Sequence, residues 1–226
     1  LFLVLATLLF FVSPSALSQS SPFAAKKIPG PDTVLVIHAG YLLAEPGKPP
    51  LEQQTIIVRG ERVESIRSGF ISPAELEPGD ARVELLDLSK HFVLPGLMDA
   101  HVHLSRATGS YEPGLLPAST PESAQATVNV LLNTQLTLNA GFTAVRDLGS
   151  DRQSVYAVRD AIAARKFIGP TIVASGPSIG VTSGHGSMLD GAAVCDGADA
   201  CRSLTRQLEK AGADLIKIKI SGGFSS

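Results

Sequence analysis

The chain has 226 residues, of which 44% are hydrophobic and 18% are charged, and its formal net charge is −2 at pH 7. This length and composition are those of a globular protein with a substantial core, and they exclude a largely disordered chain. The small net charge, without a cluster of Lys or Arg, argues against a nucleic acid as the partner.

The first 18 residues have the pattern of a secretory signal peptide. Residues 1–12 are apolar except for Thr7, and the small residues of Ala-Leu-Ser at 16–18 suit a cleavage site. A membrane anchor is the alternative, but a spanning helix needs about 20 apolar residues. We therefore expect cleavage, export to a periplasm or the medium, and no stable membrane span. Residues 19–32 are predicted to form a linker.

Export would place the two cysteines of the chain in an oxidising compartment. Five residues separate Cys195 from Cys201, and such a pair can form a disulfide there. The spacing is unlike that of a zinc knuckle. Two free, small hydrophobic side chains near the start of a helix fit the pattern equally well, so the sequence leaves the pairing open.

Residues 33–94 are predicted to form part of a small β-sandwich domain. Short β-rich runs fill this part of the chain, and turn residues separate them. The predicted strands are residues 33–43, 54–59, 62–67, 82–88 and 91–93, with a turn at Ser89 and Lys90 between the last two.

From residue 95 to residue 226, strands and helices alternate as in parallel βαβ units of an α/β fold. The predicted strands are residues 96–104, 142–148, 170–175 and 214–220, and the predicted helices are residues 119–139, 151–166 and 199–211. A TIM-type (β/α)8 barrel has eight such units, so we expect the first four units of one. We expect residues 19–226 alone to be inactive and poorly soluble.

Two histidines close the first predicted barrel strand, in the segment PGLMDAHVH at residues 95–103. Residues i and i+2 of a strand point to the same side, so His101 and His103 should face the barrel mouth together. Two neutral imidazoles form a natural half-site for Zn²⁺ or a similar divalent ion. Asp99 should lie on the same face and could orient a ligand. A His-x-His pair also arises by accident on surface strands, but its position after an apolar strand favours a metal site.

Lys217 and Lys219 share one face of an otherwise aliphatic segment, GADLIKIKISGG at residues 212–223. Burial lowers the pKa of a lysine and leaves a neutral, nucleophilic amine. Such an amine can add carbon dioxide and become a carbamate, which bridges two metals. Alternatively, the two lysines extend towards solvent or pair with Asp214 or Glu209, and the segment alone favours this alternative.

At the end of the second predicted strand, Arg146 and Asp147 follow each other directly. We expect an ion pair between them that braces the rim of the barrel, rather than a role in catalysis.

Together, these segments resemble the amidohydrolase superfamily, in its branch of Xaa-Pro dipeptidases and imidazolonepropionase-like proteins. The resemblance covers residues 33–226, and its motifs are PGLMDAHVHL, GFTAVRDLG, TSGHG and GADLIKIKISGG. It implies that His101 and His103 bind the more buried of two metals. It also implies that Lys217 is the carboxylated bridging lysine, with Lys219 as the fallback. His185 of TSGHG would lie near the substrate, although a loop histidine held by backbone hydrogen bonds is an equal alternative.

The reaction that the resemblance implies is hydrolysis of a C–N amide bond, in a dipeptide of Xaa-Pro type or an N-acyl amino acid. Two divalent metals, zinc in our prediction, would make a bridging hydroxide that attacks the carbonyl. Lys217 would thus be both a ligand and a catalytic residue. The family's remaining ligands, two histidines and the general-base aspartate, would follow residue 226.

Two alternatives stay open for the function. One is a mononuclear, imidazolonepropionase-like hydrolase of cyclic amides, against which Lys217 and the export signal both weigh. The other is a non-catalytic, exported binding protein. The sequence does not decide whether the protein is a homo-oligomer.

Overall fold

The computed structural model describes residues 32–77, 79–107, 123–185 and 193–220. The predicted signal peptide, nearly all of the predicted linker and the start of the first predicted helix lie outside these residues. No helix in the described part of the chain is long and apolar enough to cross a membrane.

The first strands of the chain form one mixed sheet. They are β1 (Thr33–Leu42), β2 (Leu51–Arg59), β3 (Arg62–Ser68) and β4 (Arg82–Val93). Their order in the sheet is β3-β2-β1-β4, with β1 antiparallel to β2 and parallel to β4. Val34, Val36 and Ile57 are buried together on it. Residues 32–77 and 79–94 contain no second sheet, so the facing layer of the predicted sandwich stays a prediction.

The predicted turn at Ser89 and Lys90 is wrong, because β4 runs through both residues as one strand. Between Leu88 and Phe92, β4 advances by four residues while β1 advances by two. The extra residues form a bulge that keeps the strand paired. Gly40 faces this bulge, where a Cβ atom would lie 2.3 Å from the Ser89 carbonyl oxygen. The pairing with β1 therefore determines the conformation of β4 at this point. Local turn propensity contains no information on this pairing.

The later elements alternate between strand and helix as far as residue 174, as predicted, and two short strands that were not predicted then precede the last helix. They are β5 (Leu97–Val102), α1 (Ser123–Asn139), β6 (Phe142–Asp147), α2 (Arg152–Ala163), β7 (Thr171–Ala174), β8 (Ile179–Gly180), β9 (Ala193–Val194) and α3 (Ala198–Lys210). The strands β5, β6 and β7 form a parallel sheet in that order. Consecutive strands that are neighbours in a parallel sheet are what the start of a (β/α)8 barrel requires. Val130 of α1 and Val155 of α2 pack with Val145 and Ile172 of the sheet in one buried cluster.

The fourth predicted barrel strand, residues 214–220, is not a continuous strand. It is joined to β8 by a single bridge between Ile179 and Ile218. The Ile179 N–H donates to the Lys217 carbonyl at 2.8 Å, and the Lys219 N–H donates to the Ile179 carbonyl at 2.8 Å. Because β8 has only two residues, it offers too short an edge for a longer ladder.

Arg159 of α2 anchors the start of this lysine-bearing segment. Its Nη1 donates to the Gly212 carbonyl at 2.7 Å and to the Asp214 carboxylate at 2.8 Å. The same carboxylate accepts the Ala174 N–H at 2.9 Å, and the guanidinium lies over the Tyr156 ring. The charged partner of Asp214 is therefore Arg159, not one of the lysines. These contacts fix the segment beside β7, where a fourth barrel strand belongs.

Cys195 and Cys201 form a disulfide, with Cα atoms 5.0 Å apart. It links the residue after β9 to the first turn of α3. Cys195 belongs to a buried cluster with Ile179 of β8 and Leu208 of α3. The alternative that the sequence left open is thus settled for this structure in favour of the pair.

Candidate active site

The two histidines of the His-x-His motif lie at the end of β5 with their rings adjacent. The ring centroids are 5.3 Å apart and the ring planes are inclined by 64°. Both side chains therefore lie on the same side of the chain, as the alternation of a strand predicts. His101 is exposed and His103 is half-buried. Their role as metal ligands stays a prediction.

One ring nitrogen of His103 forms a hydrogen bond with the backbone. Nδ1 lies 2.9 Å from the carbonyl oxygen of Gly149. Because a carbonyl only accepts hydrogen bonds, Nδ1 carries the proton and donates it. Burial lowers the pKa of His103, and the bond to Gly149 offsets this effect only in part. The neutral ring therefore presents Nε2 with a lone pair, which is the form that binds a metal.

Asp147, at the end of β6, is fully buried. Its Oδ2 accepts hydrogen bonds from the Leu104 N–H at 2.7 Å and the Ser150 hydroxyl at 2.6 Å. Its Oδ1 accepts the Gly149 N–H at 3.1 Å. Burial raises the pKa of the Asp147 carboxyl, while these three bonds act in the opposite direction.

The expected ion pair between Arg146 and Asp147 is wrong. Neighbouring residues of a strand point to opposite sides, so the two side chains diverge. The Nε of Arg146 donates instead to the Ala100 carbonyl at 2.8 Å. Arg146 thus holds the backbone of β5, and Asp147 holds the backbone at Leu104, just after this strand.

Two asparagines of α1 hold the chain where it leaves the histidine pair, and the sequence analysis missed them. Asn129 Nδ2 donates to the Ser105 carbonyl at 3.0 Å, and Asn133 Nδ2 donates to the Leu104 carbonyl at 2.8 Å. The Ser105 N–H donates to the Ser150 hydroxyl at 3.1 Å. The available signal was the spacing of the two asparagines, since residues four apart share one face of a helix.

Asp99 contacts the backbone rather than an imidazole. Its Oδ1 accepts the His101 N–H at 3.0 Å. This bond holds the backbone at the first histidine of the pair. A role of Asp99 in orienting a metal ligand stays a prediction.

Lys217 and Lys219 are both half-buried, whereas Ile218 and Ile220 are exposed. The two lysines thus share one face, as the sequence predicts. Burial lowers the pKa of Lys219, and the positive charges of Arg106 and Lys217 lower it further. A lowered pKa makes an amine available for carboxylation, so the fallback lysine is a real competitor. Lys217 as the bridging ligand stays a prediction.

His185 is half-buried at the end of the described turn that follows β8. Thr182 ties this turn to the segment before α3, because its N–H donates to the Asp196 carboxylate at 3.0 Å. The last residue of the TSGHG motif, Gly186, lies outside the described residues. A place for His185 near the substrate stays a prediction.

The described residues contain no complete metal site. No group of three or more His, Cys, Asp or Glu among them could hold an ion. His101 and His103 nevertheless fit a divalent metal, because imidazole nitrogens suit zinc and the tautomer of His103 is fixed with Nε2 available.

The chain belongs to the amidohydrolase family, since the model of the Amidohydrolase family matches residues 92–226. The chain is 24% identical over 220 residues to ochratoxinase from Aspergillus niger, an alignment that covers 85% of this chain and 43% of that protein.

Two solved structures are similar in fold and sequence. One is a Xaa-Pro dipeptidase with methionine bound in the active site (TM-score 0.71, 31% identity, 84% of this chain and 48% of that one). The other is a prolidase in complex with N-methylphosphonate-L-proline (TM-score 0.68, 27% identity, 85% of this chain and 48% of that one). The chain spans about half the length of these relatives. The α/β fold is thereby confirmed.

Proposed function

We propose that the protein hydrolyses C–N amide bonds in dipeptides of Xaa-Pro type or in N-acyl amino acids, with two divalent metal ions, zinc in our proposal. The observation that carries this proposal is the adjacent histidine pair at the end of β5, in which His103 donates through Nδ1 to Gly149 and keeps Nε2 free to coordinate. The similarity to a Xaa-Pro dipeptidase and a prolidase supports the dipeptide class.

The residues of this chain have distinct tasks in that reaction. His101 and His103 would hold one metal, and Lys217, as its carbamate, would be an oxygen ligand shared by both. When bound, the metals supply a Lewis acid and lower the pKa of water. The hydrogen bond to Gly149 keeps His103 in the correct tautomer before any metal arrives. His185 would contact the substrate from the loop that follows β8.

An assay of the whole protein tests the reaction class. We expect the zinc-loaded protein to hydrolyse Xaa-Pro dipeptides or N-acetyl amino acids, and to lose this activity in a chelator and regain it with zinc. The control is the double variant His101→Ala/His103→Ala, which should be inactive under all conditions. Turnover confined to a cyclic imidazolone would favour the mononuclear alternative. Stoichiometric binding of a dipeptide without turnover would favour the binding protein. Either result would overturn the proposal.

We further propose that the protein is exported and loses residues 1–18. The apolar run at residues 1–12 supports export, and so does the Cys195–Cys201 disulfide, because disulfides persist mainly in oxidising compartments. After expression of the gene in its native host, intact mass spectrometry of the exported fraction should give a chain that begins at Gln19. Alkylation of the denatured protein should leave both cysteines unmodified. A cytosolic protein that retains the apolar run and has two alkylated cysteines would contradict this proposal.

A further inference from the structure

We propose that Asp147 is a positioning residue for His103. Its carboxylate holds the backbone directly after this histidine, and it holds Gly149, whose carbonyl group accepts the hydrogen bond from the ring. The inference rests on the proposed function, since it takes His103 to be a metal ligand. Asp147 itself would touch neither metal nor substrate.

The carboxylate of Asp147 joins two segments that are far apart in the sequence. Through Oδ2 it accepts the N–H of Leu104, the residue directly after His103, at 2.7 Å. Through Oδ1 it accepts the N–H of Gly149 at 3.1 Å. The carbonyl of Gly149 in turn accepts the His103 Nδ1–H at 2.9 Å. One side chain therefore sets the position of the ligand's backbone and of the acceptor for its ring.

Gly149 packs directly against the His103 ring. A Cβ atom at this position would lie 2.9 Å from Cε1 and 3.0 Å from Nδ1 of His103. These distances are shorter than ordinary van der Waals contacts, so a side chain would displace the ring. The absence of a side chain at residue 149 and the carboxylate at residue 147 thus serve the same histidine.

Asp147 is fully buried, and a buried charge is costly unless it is hydrogen-bonded. All three hydrogen-bond partners of Asp147 are donors, so both of its oxygens must act as acceptors. An isosteric amide replaces one of these acceptor oxygens by a donor. Asp147→Asn therefore tests the hydrogen-bond pattern at almost constant shape.

Two orientations of the amide are available in Asp147→Asn. With its oxygen towards Leu104 and Ser150, the NH2 group faces the Gly149 N–H, and that bond is lost. In the opposite orientation the Leu104 N–H loses its acceptor, which is costly because Leu104 is buried. We expect the first orientation, which releases the turn at Gly149 and with it the acceptor for His103 Nδ1.

The experiment compares three variants of the whole protein. Asp147→Asn removes the brace, and Gly149→Ala disturbs the same ring while the carboxylate stays in place. Asp151→Asn is the matched control, because Asp151 caps α2 through Ser154 and asparagine caps a helix equally well. For each variant, ¹⁵N NMR reports the tautomer of His103 in the metal-free protein. Competition with a chromophoric chelator gives the zinc affinity, and thermal melts in a chelator report folding.

We expect the wild type and Asp151→Asn to show the Nδ1–H tautomer with equal zinc affinity. Asp147→Asn and Gly149→Ala should show a mixture of tautomers. Their zinc affinity should fall about 10- to 100-fold, the usual effect of losing a partner that orients a ligand. If Asp147→Asn does not fold, Asp147→Ser takes its place with the same expected outcome, because one short hydroxyl group cannot accept from the N–H groups of both Leu104 and Gly149.

A folded Asp147→Asn or Gly149→Ala that keeps the Nδ1–H tautomer and wild-type zinc affinity would overturn the proposal. The NMR measurement is made without metal, so it tests the positioning even if the protein turns out not to be a metallohydrolase. If the tautomer shifts but zinc affinity is unchanged in His103→Ala as well, the proposed function fails and the structural link from Asp147 to His103 stands.

Discussion

Replacing His103 by alanine should remove at least one bound metal ion and lower kcat/KM at least about 1,000-fold. Loss of a partner that merely orients a ligand costs about 10- to 100-fold, so loss of the ligand itself should cost more. The ring supplies Nε2 in a fixed tautomer, and no other histidine among the described residues lies beside it except His101. His101→Ala should therefore have a similar effect.

Metal content by mass spectrometry and steady-state kinetics, measured on the whole protein, check this prediction. His91→Ala is the matched control, since His91 is an exposed residue of β4 and should leave both quantities unchanged. If either His101→Ala or His103→Ala retains the wild-type number of metal ions, the assignment of that histidine as a ligand is incorrect.

Lys217→Ala should lower kcat/KM by about 100-fold or more and reduce the metal content, because its carbamate would hold both ions together. Added bicarbonate does not restore a missing amine, but short carboxylates such as formate or acetate can occupy the vacated space and supply the oxygen ligand. We therefore expect partial recovery of activity with these anions. Lys219→Ala should have a milder effect and should not respond to them.

The two lysine variants are a matched pair, because both residues are half-buried on the same face of one segment. Burial lowers the pKa of Lys219, and this effect favours the fallback lysine over the one that we assign as the bridging ligand. If Lys219→Ala is inactive and is rescued by formate while Lys217→Ala is normal, the bridging lysine is Lys219.

Local patterns in the sequence predicted those parts of the structure that depend on local geometry. The alternation of side chains along a strand was enough to place His101 and His103 together, and the βαβ pattern was enough for the parallel order of β5, β6 and β7. In both cases the deciding interactions are close in sequence or follow from a general rule of connection.

The features that were missed depend on partners far away in the chain. The acceptor of His103 is 46 residues distant in sequence, and the main contact of Asp147 is 43 residues distant. β4 continues through its predicted turn because β1 pairs with it. The segment at residues 214–220 falls short of a strand because β8, its partner, is brief. Local propensity carries no information on any of these pairings.

Anomalous diffraction from crystals of the zinc-loaded whole protein would show whether His101 and His103 bind the metal. We expect a zinc peak about 2.0–2.1 Å from Nε2 of His103, within bonding distance of a ring nitrogen of His101, and with the His103 Nδ1–Gly149 hydrogen bond retained. A zinc peak elsewhere, with neither histidine coordinated, would contradict it.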